Sequence, residues 1–184
     1  GAADVLLLIE VADATLRRPF LLAIGMALGG GALSCVIATP LAWLVSRTNL
    51  PGRRIVRALV TASFVTPPFL GAIAWEILAA PNSGLINVFW RQLTGAQQYD
   101  ALVNIYSFGG LVFAIACYTF PYVFTLVANG LDRVPADLED ASSILGGRAW
   151  TTLRRVTLPL VLPAMLAGAM IAILQALTMF GSPA

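Results

Sequence analysis

The sequence contains no histidine and no lysine, and it carries few charges of either sign. Of its 184 residues, 59% are hydrophobic and only 11% are charged, against roughly 25% charged residues in a typical soluble domain. The lack of histidine excludes a histidine-based catalytic triad and a cysteine–histidine metal cage. The lack of lysine excludes a phosphate-binding loop that ends in Lys-Ser or Lys-Thr. We therefore expect no catalytic residue, no metal ligand and no cofactor in this chain.

Cysteine is equally scarce. Cys35 and Cys117 lie alone in separate hydrophobic runs, where single cysteines pack as small side chains. The arginines are spread along the chain and are not gathered on one soluble face, so the net charge of +2 does not indicate a nucleic-acid partner.

Four long runs without a charged residue dominate the sequence. They cover residues 19–46, 58–75, 101–131 and 156–184. About 20 apolar residues cross the hydrocarbon core of a bilayer as an α-helix, and no polar face repeats at the helical period that a soluble bundle would show. The sequence therefore predicts an all-α polytopic transmembrane helical bundle. Its four spans are expected at about residues 20–46, 58–80, 106–128 and 158–180.

The arginines predict how these spans are oriented. Eight of the eleven lie in the first and third connections between spans, and the second connection carries only Arg91. Short cytoplasmic loops hold an excess of positive charge, so the first and third connections are predicted to be cytoplasmic and both chain ends to lie outside. Arg17 and Arg18, ahead of the first span, oppose this orientation and lead us to expect a further segment upstream.

The second connection contains a helical pattern of its own. Apolar residues recur at helical spacing with polar residues opposite them and Trp90 alongside. They are Leu85, Ile86, Phe89 and Leu93 against Asn87, Arg91 and Gln92. The pattern is typical of a short helix lying in the membrane interface, and a helix packed within an ordinary loop is the alternative.

The third connection, residues 132–157, is the most polar part of the chain. Pro135 suits the first turn of a helix, and acidic residues follow near that N-terminus, where the helix dipole favours them. Gly146 and Gly147 are typical of a helix end, and a second short helix is predicted over residues 148–157. This pattern predicts a helical corner that projects from the membrane and suits the docking of a soluble partner, with an ordinary structured loop as the alternative.

The same stretch resembles the cytoplasmic EAA loop of permease subunits in bacterial ATP-binding-cassette importers. That loop has Glu-Ala-Ala, three residues, Gly, nine residues, an aliphatic residue, one residue and Leu-Pro. The matching positions are Asp140, Ala141, Ser142, Gly146, Val156, Leu158 and Pro159. The spacing agrees throughout, although aspartate replaces glutamate and serine replaces the second alanine. Residues 40–54 and 177–184 are similar to segments of the ferric iron, thiamine and polyamine permeases.

The resemblance implies transport without catalysis by this chain. An EAA loop seats a coupling helix on a separate ATPase subunit. The residues implied in that contact are Glu139, Asp140, Ala141, Ser142, Gly146, Gly147, Val156, Leu158 and Pro159. The resemblance also implies a periplasmic substrate-binding protein, a second permease domain on the same or a fused chain, and the lipid bilayer of the bacterial inner membrane, with ferric iron as a candidate cargo. Permeases of this kind carry at least five or six spans, so residues 1–184 are expected to be part of one permease domain with helices missing at one or both ends.

Four residues are candidates for the translocation pathway. Glu76 is an acid near the outer end of its predicted span, and an ionisable group there is by default a functional candidate. Gln175 lies deep in the last span, and Pro67 and Pro68 are predicted to interrupt their helix. Freed backbone groups at such breaks need a neighbouring helix or water. Each residue has a purely structural role as its alternative.

Other residues within the spans predict helix packing. Gly25 and the glycines at 29–31 place small residues on one face of the first span, which allows another helix to approach closely. Pro40 and Pro121 are predicted to interrupt their helices, because proline removes a helical hydrogen bond.

Two other classes of membrane protein are the alternatives to an importer subunit. A secondary transporter driven by an ion gradient would carry paired ionisable residues near the middle of the membrane and inverted repeats, and the sequence shows neither. The other class is a non-transport membrane scaffold or an intramembrane enzyme, and the enzyme would need a catalytic pair at depth.

Overall fold

The computed structural model describes residues 2–95 and 100–180, with the side chains of residues 17–95 and 100–178. The described chain consists of helices and connections, without a strand, and confirms the all-α polytopic fold. In chain order the helices are α1 (Ala2–Arg47), α2 (Arg53–Ala62), α3 (Pro68–Ala79), α4 (Leu85–Thr94), α5 (Phe108–Arg133), α6 (Ala136–Ile144), α7 (Ala149–Thr152) and α8 (Leu158–Phe180). Residues 181–184, which end the resemblance segment 177–184 and the last uncharged run, lie outside the described residues.

Three helical stretches of the described chain are long and apolar enough to cross a membrane. They are Arg17–Arg47, Phe108–Arg133 and Ala149–Thr178. A fourth crossing is present if α2 and α3 are counted together, although the chain bends by 104° between them. The sequence predicted one span at about residues 58–80, and the structure has two helices, α2 and α3, over this region.

The direction of the helices shows that the bent pair is one return crossing. α1 and α5 run parallel, because Gly25 faces Phe108 at one end and Arg47 reaches Leu131 at the other. The chain must therefore travel back between them.

The contacts of the bent pair follow α5 backwards, as a return crossing requires. Arg57 pairs with Asp132, and Trp75 packs edge-on against Phe113 with ring centroids 5.2 Å apart. The pairing of Arg57 with Asp132 also places the first and third connections at the same end of the bundle, as the predicted orientation requires. We call this end, residues 47–57 and 131–157, the arginine-rich end.

Small residues allow α1, α5 and α8 to pack closely. A Cβ on Gly30 would lie 2.5 Å from Ile115, and one on Gly31 would lie 2.7 Å from Ile173. The packing role predicted for these glycines is confirmed. Between α1 and α5, the buried hydroxyls of Ser34 and Thr119 are hydrogen-bonded at 2.7 Å, which satisfies two polar groups that could not remain unpaired in this core.

The structure corrects part of the proline prediction. α1 continues through Pro40 and α5 continues through Pro121, so the predicted interruptions there are wrong. One lost hydrogen bond does not break a long helix that is packed on its neighbours. The chain does break at Pro67, where Thr66 is extended, because a residue before proline avoids the helical region and Pro68 starts α3.

The predicted helix in the second connection is confirmed as α4. Asn87 is buried, and its side-chain amide donates to the main-chain oxygens of Ala80 and Val103 at 2.9 and 2.7 Å. The opposite side of the helix exposes Leu85, Phe89 and Leu93. The polar side of α4 therefore packs on the rest of the protein, and its apolar side faces outward. This arrangement suits the membrane interface.

We expect substitution of Gly168 by valine to loosen the bundle. A Cβ on Gly168 would lie 2.9 Å from the Cα of Val123 in α5, so α5 and α8 must move apart. Overpacking of this kind costs about 1–3 kcal/mol of unfolding free energy. Unfolding of the purified protein in detergent measures the change, and Gly109→Val is the control, because nothing lies within 4 Å of its added Cβ. Equal effects of the two substitutions would contradict the packing described here.

Candidate functional site

The third connection forms a helical hairpin at the arginine-rich end of the bundle. α6 begins after Pro135, which stands at the N-cap position, and carries Asp137 and Glu139 in its first turn. Both acids lie where the helix dipole favours negative charge. The predicted start of this helix is confirmed to within one residue.

Two glycines turn the hairpin, each for a different reason. Gly146 has φ +83°, a left-handed conformation that residues with a Cβ adopt at a cost. Gly147 donates its main-chain N–H to Ser142 at 2.8 Å, and a Cβ there would lie 2.6 Å from the Ser142 hydroxyl. The predicted left-handed helix end is confirmed at Gly146. At Gly147 a glycine is needed because there is no room for a Cβ beside Ser142.

The second half of the hairpin differs from the prediction. The short helix expected over residues 148–157 is not separate, because α7 passes through a π-helical segment, Leu153–Thr157, directly into α8. Val156 is half-buried in that segment, and Leu158 and Pro159 lie in the first turn of α8. This arm of the hairpin is therefore continuous with the last long helix.

A polar network joins the hairpin to the bundle. The Arg47 guanidinium donates to the main-chain oxygens of Leu131 and Val134, both at 2.8 Å. Its Nε lies 3.3 Å from Oε1 of Glu139, an ion-pair contact without hydrogen-bond geometry. The same carboxylate oxygen accepts a hydrogen bond from the buried Thr157 hydroxyl at 2.8 Å. One arginine thus connects the ends of α1 and α5 to α6 and, through Glu139, to the start of α8.

A second contact holds the two arms of the hairpin together. The hydroxyls of Ser142 and Thr152 are hydrogen-bonded at 2.8 Å, and Thr152 is buried. The sequence reasoning did not single out Arg47, Thr152 or Thr157. A polar residue at the end of a helix was the only local signal for Arg47, and the two threonines had none.

The far end of the hairpin exposes large apolar side chains. Ile144 is 84% exposed, Leu145 87% and Trp150 70%. We call these three residues the hairpin tip. Asp140 and Ala141 are exposed on the same hairpin. Large apolar side chains exposed on a polar hairpin make it a candidate interaction surface.

The structure does not bring the four pathway candidates together. Pro68 lines an apolar cavity of about 400 Å3 between α3 and α5, with Trp75 and Tyr118 among its walls, and Glu76 and Gln175 are not in its lining. Gln175 is half-buried in α8.

Glu76 lies at the opposite end of the bundle from the hairpin. Its carboxylate accepts a hydrogen bond from the Tyr106 hydroxyl at 2.7 Å. This hydrogen bond raises the pKa of Tyr106, because the phenolate would face the carboxylate without a proton between them. Glu76 therefore has a structural partner that ties α3 to the chain ahead of α5.

Comparison with known proteins identifies related sequences. Residues 20–183 match the family described as "binding-protein-dependent transport system inner membrane component". The molybdenum transport system permease protein ModB of Haemophilus influenzae is 30% identical over 88% of this chain and 67% of its own length. The sulfate transport system permease protein CysT of Salmonella typhimurium is 31% identical over 77% of this chain and 48% of its own length.

A third relative comes from an archaeal sugar system. The trehalose/maltose transport system permease protein MalF of Thermococcus litoralis is 29% identical over 74% of this chain and 46% of its own length. This chain therefore spans about half to two thirds of the length of these three curated relatives. The names of these relatives refer to molybdenum, sulfate and sugars, and none of the three refers to ferric iron, thiamine or polyamines.

We expect Arg47→Met to destabilise the protein by about 2–3 kcal/mol, because it removes charged hydrogen bonds to two main-chain oxygens and leaves Glu139 without its counter-charge. Glu139→Gln should cost less, since its amide oxygen still accepts from Thr157. A double-mutant cycle of these substitutions, followed by unfolding in detergent, should give a coupling free energy of about 1 kcal/mol.

The control for this cycle is Arg148→Met, which removes an exposed arginine of the same hairpin and should change stability little. Additive effects of Arg47→Met and Glu139→Gln would show that the contact between them has no energetic role.

Proposed function

We propose, from the premise that this chain belongs to the family of binding-protein-dependent transport system inner membrane components, that it is a permease subunit of an ATP-binding-cassette importer. The chain is a multi-pass protein of the inner membrane, in keeping with its family and its apolar helices. Its proposed role is to form part of the translocation pathway and to be moved by a separate ATPase. The hairpin between α5 and α8 is the observation that carries this proposal.

The hairpin tip has the properties of a docking surface. The polar hairpin exposes three apolar residues, Ile144, Leu145 and Trp150. A tryptophan that becomes buried on binding, with aliphatic neighbours, is a frequent centre of protein interfaces. The glycine corner fixes how these side chains are presented. An ATPase with an apolar groove would cover them, and Asp140 and Ala141 would lie within the same contact.

The base of the hairpin can pass a movement to the membrane helices. Arg47 and Glu139 bind the hairpin to α1 and α5, and the π-helical segment makes its second arm continuous with α8. A displacement of the tip therefore acts on the packed unit of α1, α5 and α8 at once. Short π-helical segments occur often at functional sites of helices, and this one lies where such a force would enter α8.

The residues assigned to ATPase coupling divide into four groups by position. Asp140 and Ala141 are exposed and would touch the ATPase. Ser142, Gly146 and Gly147 shape the corner, and Glu139 positions α6 through Arg47. The remaining residues, Val156, Leu158 and Pro159, join the hairpin to the membrane helix.

We place the pathway between this chain and a second permease domain. The cavity between α3 and α5 lies beside the break at Pro67 and Pro68 and is open to the outside of the bundle. A second domain packed there would enclose it, and a periplasmic binding protein would deliver cargo at the end that carries Glu76. The names of two of the three relatives, which refer to molybdenum and sulfate, support an oxyanion as cargo, and none of the three names supports the ferric iron that the sequence resemblance implied.

We expect Gly146→Val to abolish co-purification of the ATPase with the full transporter, since valine disfavours φ +83° and the tip would be misplaced. The matched control is Gly95→Val. Gly95 also has positive φ, +68°, and open space around it, but it follows α4 at the other end of the bundle. Pull-down from detergent extracts measures the bound ATPase.

A second substitution tests the tip itself. Leu145→Asp leaves the corner intact and places a charge in the proposed apolar contact, so bound ATPase should fall at least tenfold, the effect of a loss of about 1.4 kcal/mol or more. If both Gly146→Val and Leu145→Asp retain the ATPase as well as the parent does, the docking assignment is wrong.

The cargo is tested on the binding protein that stimulates ATP hydrolysis by the reconstituted transporter. Elemental mass spectrometry of that protein, purified without added ligand, should detect molybdenum or excess sulfur, because it carries the ligand it delivers. Stoichiometric iron in its place would restore ferric iron as the cargo and reject the oxyanion.

A further inference from the structure

A basic cleft lies at the arginine-rich end, beside the hairpin but separate from its tip. It has a volume of about 340 Å3 and is lined by the last turn of α1, by α2 and by the end of α5. Its lining residues are Val45, Ser46, Arg53, Arg54, Arg57 and Asp132. Three arginines against one aspartate leave the cleft with a net positive charge.

One arginine of the cleft is committed to the protein and two are not. Arg57 donates to both carboxylate oxygens of Asp132, at 2.8 and 2.9 Å, and to the Ser46 hydroxyl at 2.8 Å. It is therefore fixed, and it neutralises the only acid in the lining. Arg53 and Arg54 are exposed, and their guanidinium groups have no hydrogen bond or ion pair to another described residue. The cleft thus has one rigid wall and two arginines able to bind an anion.

The electrostatics of α2 reinforce this preference. No acidic residue lies in its first turn, so the positive end of the helix dipole is not balanced within the helix. Gly52, at the N-cap, has φ +80° and an open surrounding, which leaves the approach to this turn unobstructed. Arginine binds phosphate and carboxylate groups through two parallel hydrogen bonds.

The other side of α2 is apolar and exposed. Ile55 is 65% exposed and Leu59 66%, whereas Val56 and Val60 pack toward the core. The arginines and the exposed aliphatic residues therefore lie on different faces of α2, and a third face, with Val56 and Val60, packs on the bundle. Helices in the membrane interface have this division, with arginines at the headgroups and aliphatic residues at the acyl chains.

We propose that this cleft binds the phosphate headgroup of an anionic phospholipid. Arg53 and Arg54 would hold the phosphate, Arg57 would set the position of the wall behind it, and Ile55 and Leu59 would contact the acyl chains. Free phosphate could occupy the same arginines, but it would leave the two aliphatic residues uncovered. The combination of a phosphate-binding cleft and an adjacent apolar side is what favours a lipid.

Native mass spectrometry of the full transporter, extracted in detergent and mixed with phosphatidylglycerol or phosphatidylcholine, tests the proposal. The parent should retain phosphatidylglycerol in preference to phosphatidylcholine. Arg53→Gln with Arg54→Gln should weaken that retention roughly thirtyfold, as expected for the loss of two arginines at an anionic surface. Arg53→Lys with Arg54→Lys should restore part of it, because lysine keeps the charge without the two parallel hydrogen bonds. This partial recovery separates the effect of charge from any damage to the fold. Inorganic phosphate at millimolar concentration should not displace the lipid.

The charge-matched control is Arg133→Gln with Arg148→Gln, which removes two exposed arginines of the same end that do not line the cleft. This control should retain phosphatidylglycerol as the parent does. Equal losses in the two glutamine double variants, or displacement of the lipid by inorganic phosphate, would overturn the proposal. Loss of the ATPase from Arg53→Gln with Arg54→Gln, with lipid retention unchanged, would assign these arginines to the ATPase and would also overturn it.

Discussion

The position of the hairpin depends on Arg47. Carbonyl groups at the end of a helix lack intrahelical partners. At the end of α5 the Arg47 side chain donates to the Val134 carbonyl and also to the Leu131 carbonyl, which accepts the Val134 N–H as well. The same guanidinium lies against the Glu139 carboxylate, which in turn accepts from Thr157. Because these groups share one arginine, the ends of α1 and α5 and the base of the hairpin cannot move independently without leaving polar groups unpaired.

The packed unit above this network has a clear centre. In the most apolar stretch of α5, 44% of the residues are buried. In the corresponding stretches of α1 and of the last crossing, 22% of the residues are buried. α5 is therefore the most enclosed of three helices that all contact one another, since Gly31 of α1 also packs on Ile173 of α8. The other two keep more of their surface for lipid or for another subunit. Without a hydrophobic drive between helices in lipid, close approach at Gly30, Gly31 and Gly168 supplies the attraction. The bent crossing of α2 and α3 has no close glycine contact of this kind, since nothing lies within 4 Å of a Cβ added at Gly71. It lies at the edge of this unit.

The sequence predicted those features that local chemistry determines. The lengths of the apolar runs, the acids at the start of α6 and the left-handed glycine at 146 follow from neighbouring residues alone. The outcome at each proline did not follow from neighbouring residues alone. Pro40 and Pro121 were predicted to interrupt their helices as the Pro67-Pro68 pair was, yet only that pair stands at a break. Pro121 is buried between helices, and that tertiary packing, which keeps its helix continuous, is invisible in the sequence. The Arg47 network was missed for the same reason, since its partners lie more than 80 residues away.

Exposed apolar residues at the arginine-rich end have different meanings according to their surroundings. Ile55 and Leu59 lie on a helix that also packs Val56 and Val60 against the membrane bundle, so the lipid that surrounds the bundle can reach them directly. The hairpin tip stands beyond the polar network of Arg47, Glu139 and Thr157, and charged groups of this kind are excluded from the hydrocarbon region. Lipid cannot cover the tip without also enclosing that network. This difference supports the proposals of a protein partner for the hairpin and a lipid for α2, although both surfaces lie at the same end of one chain.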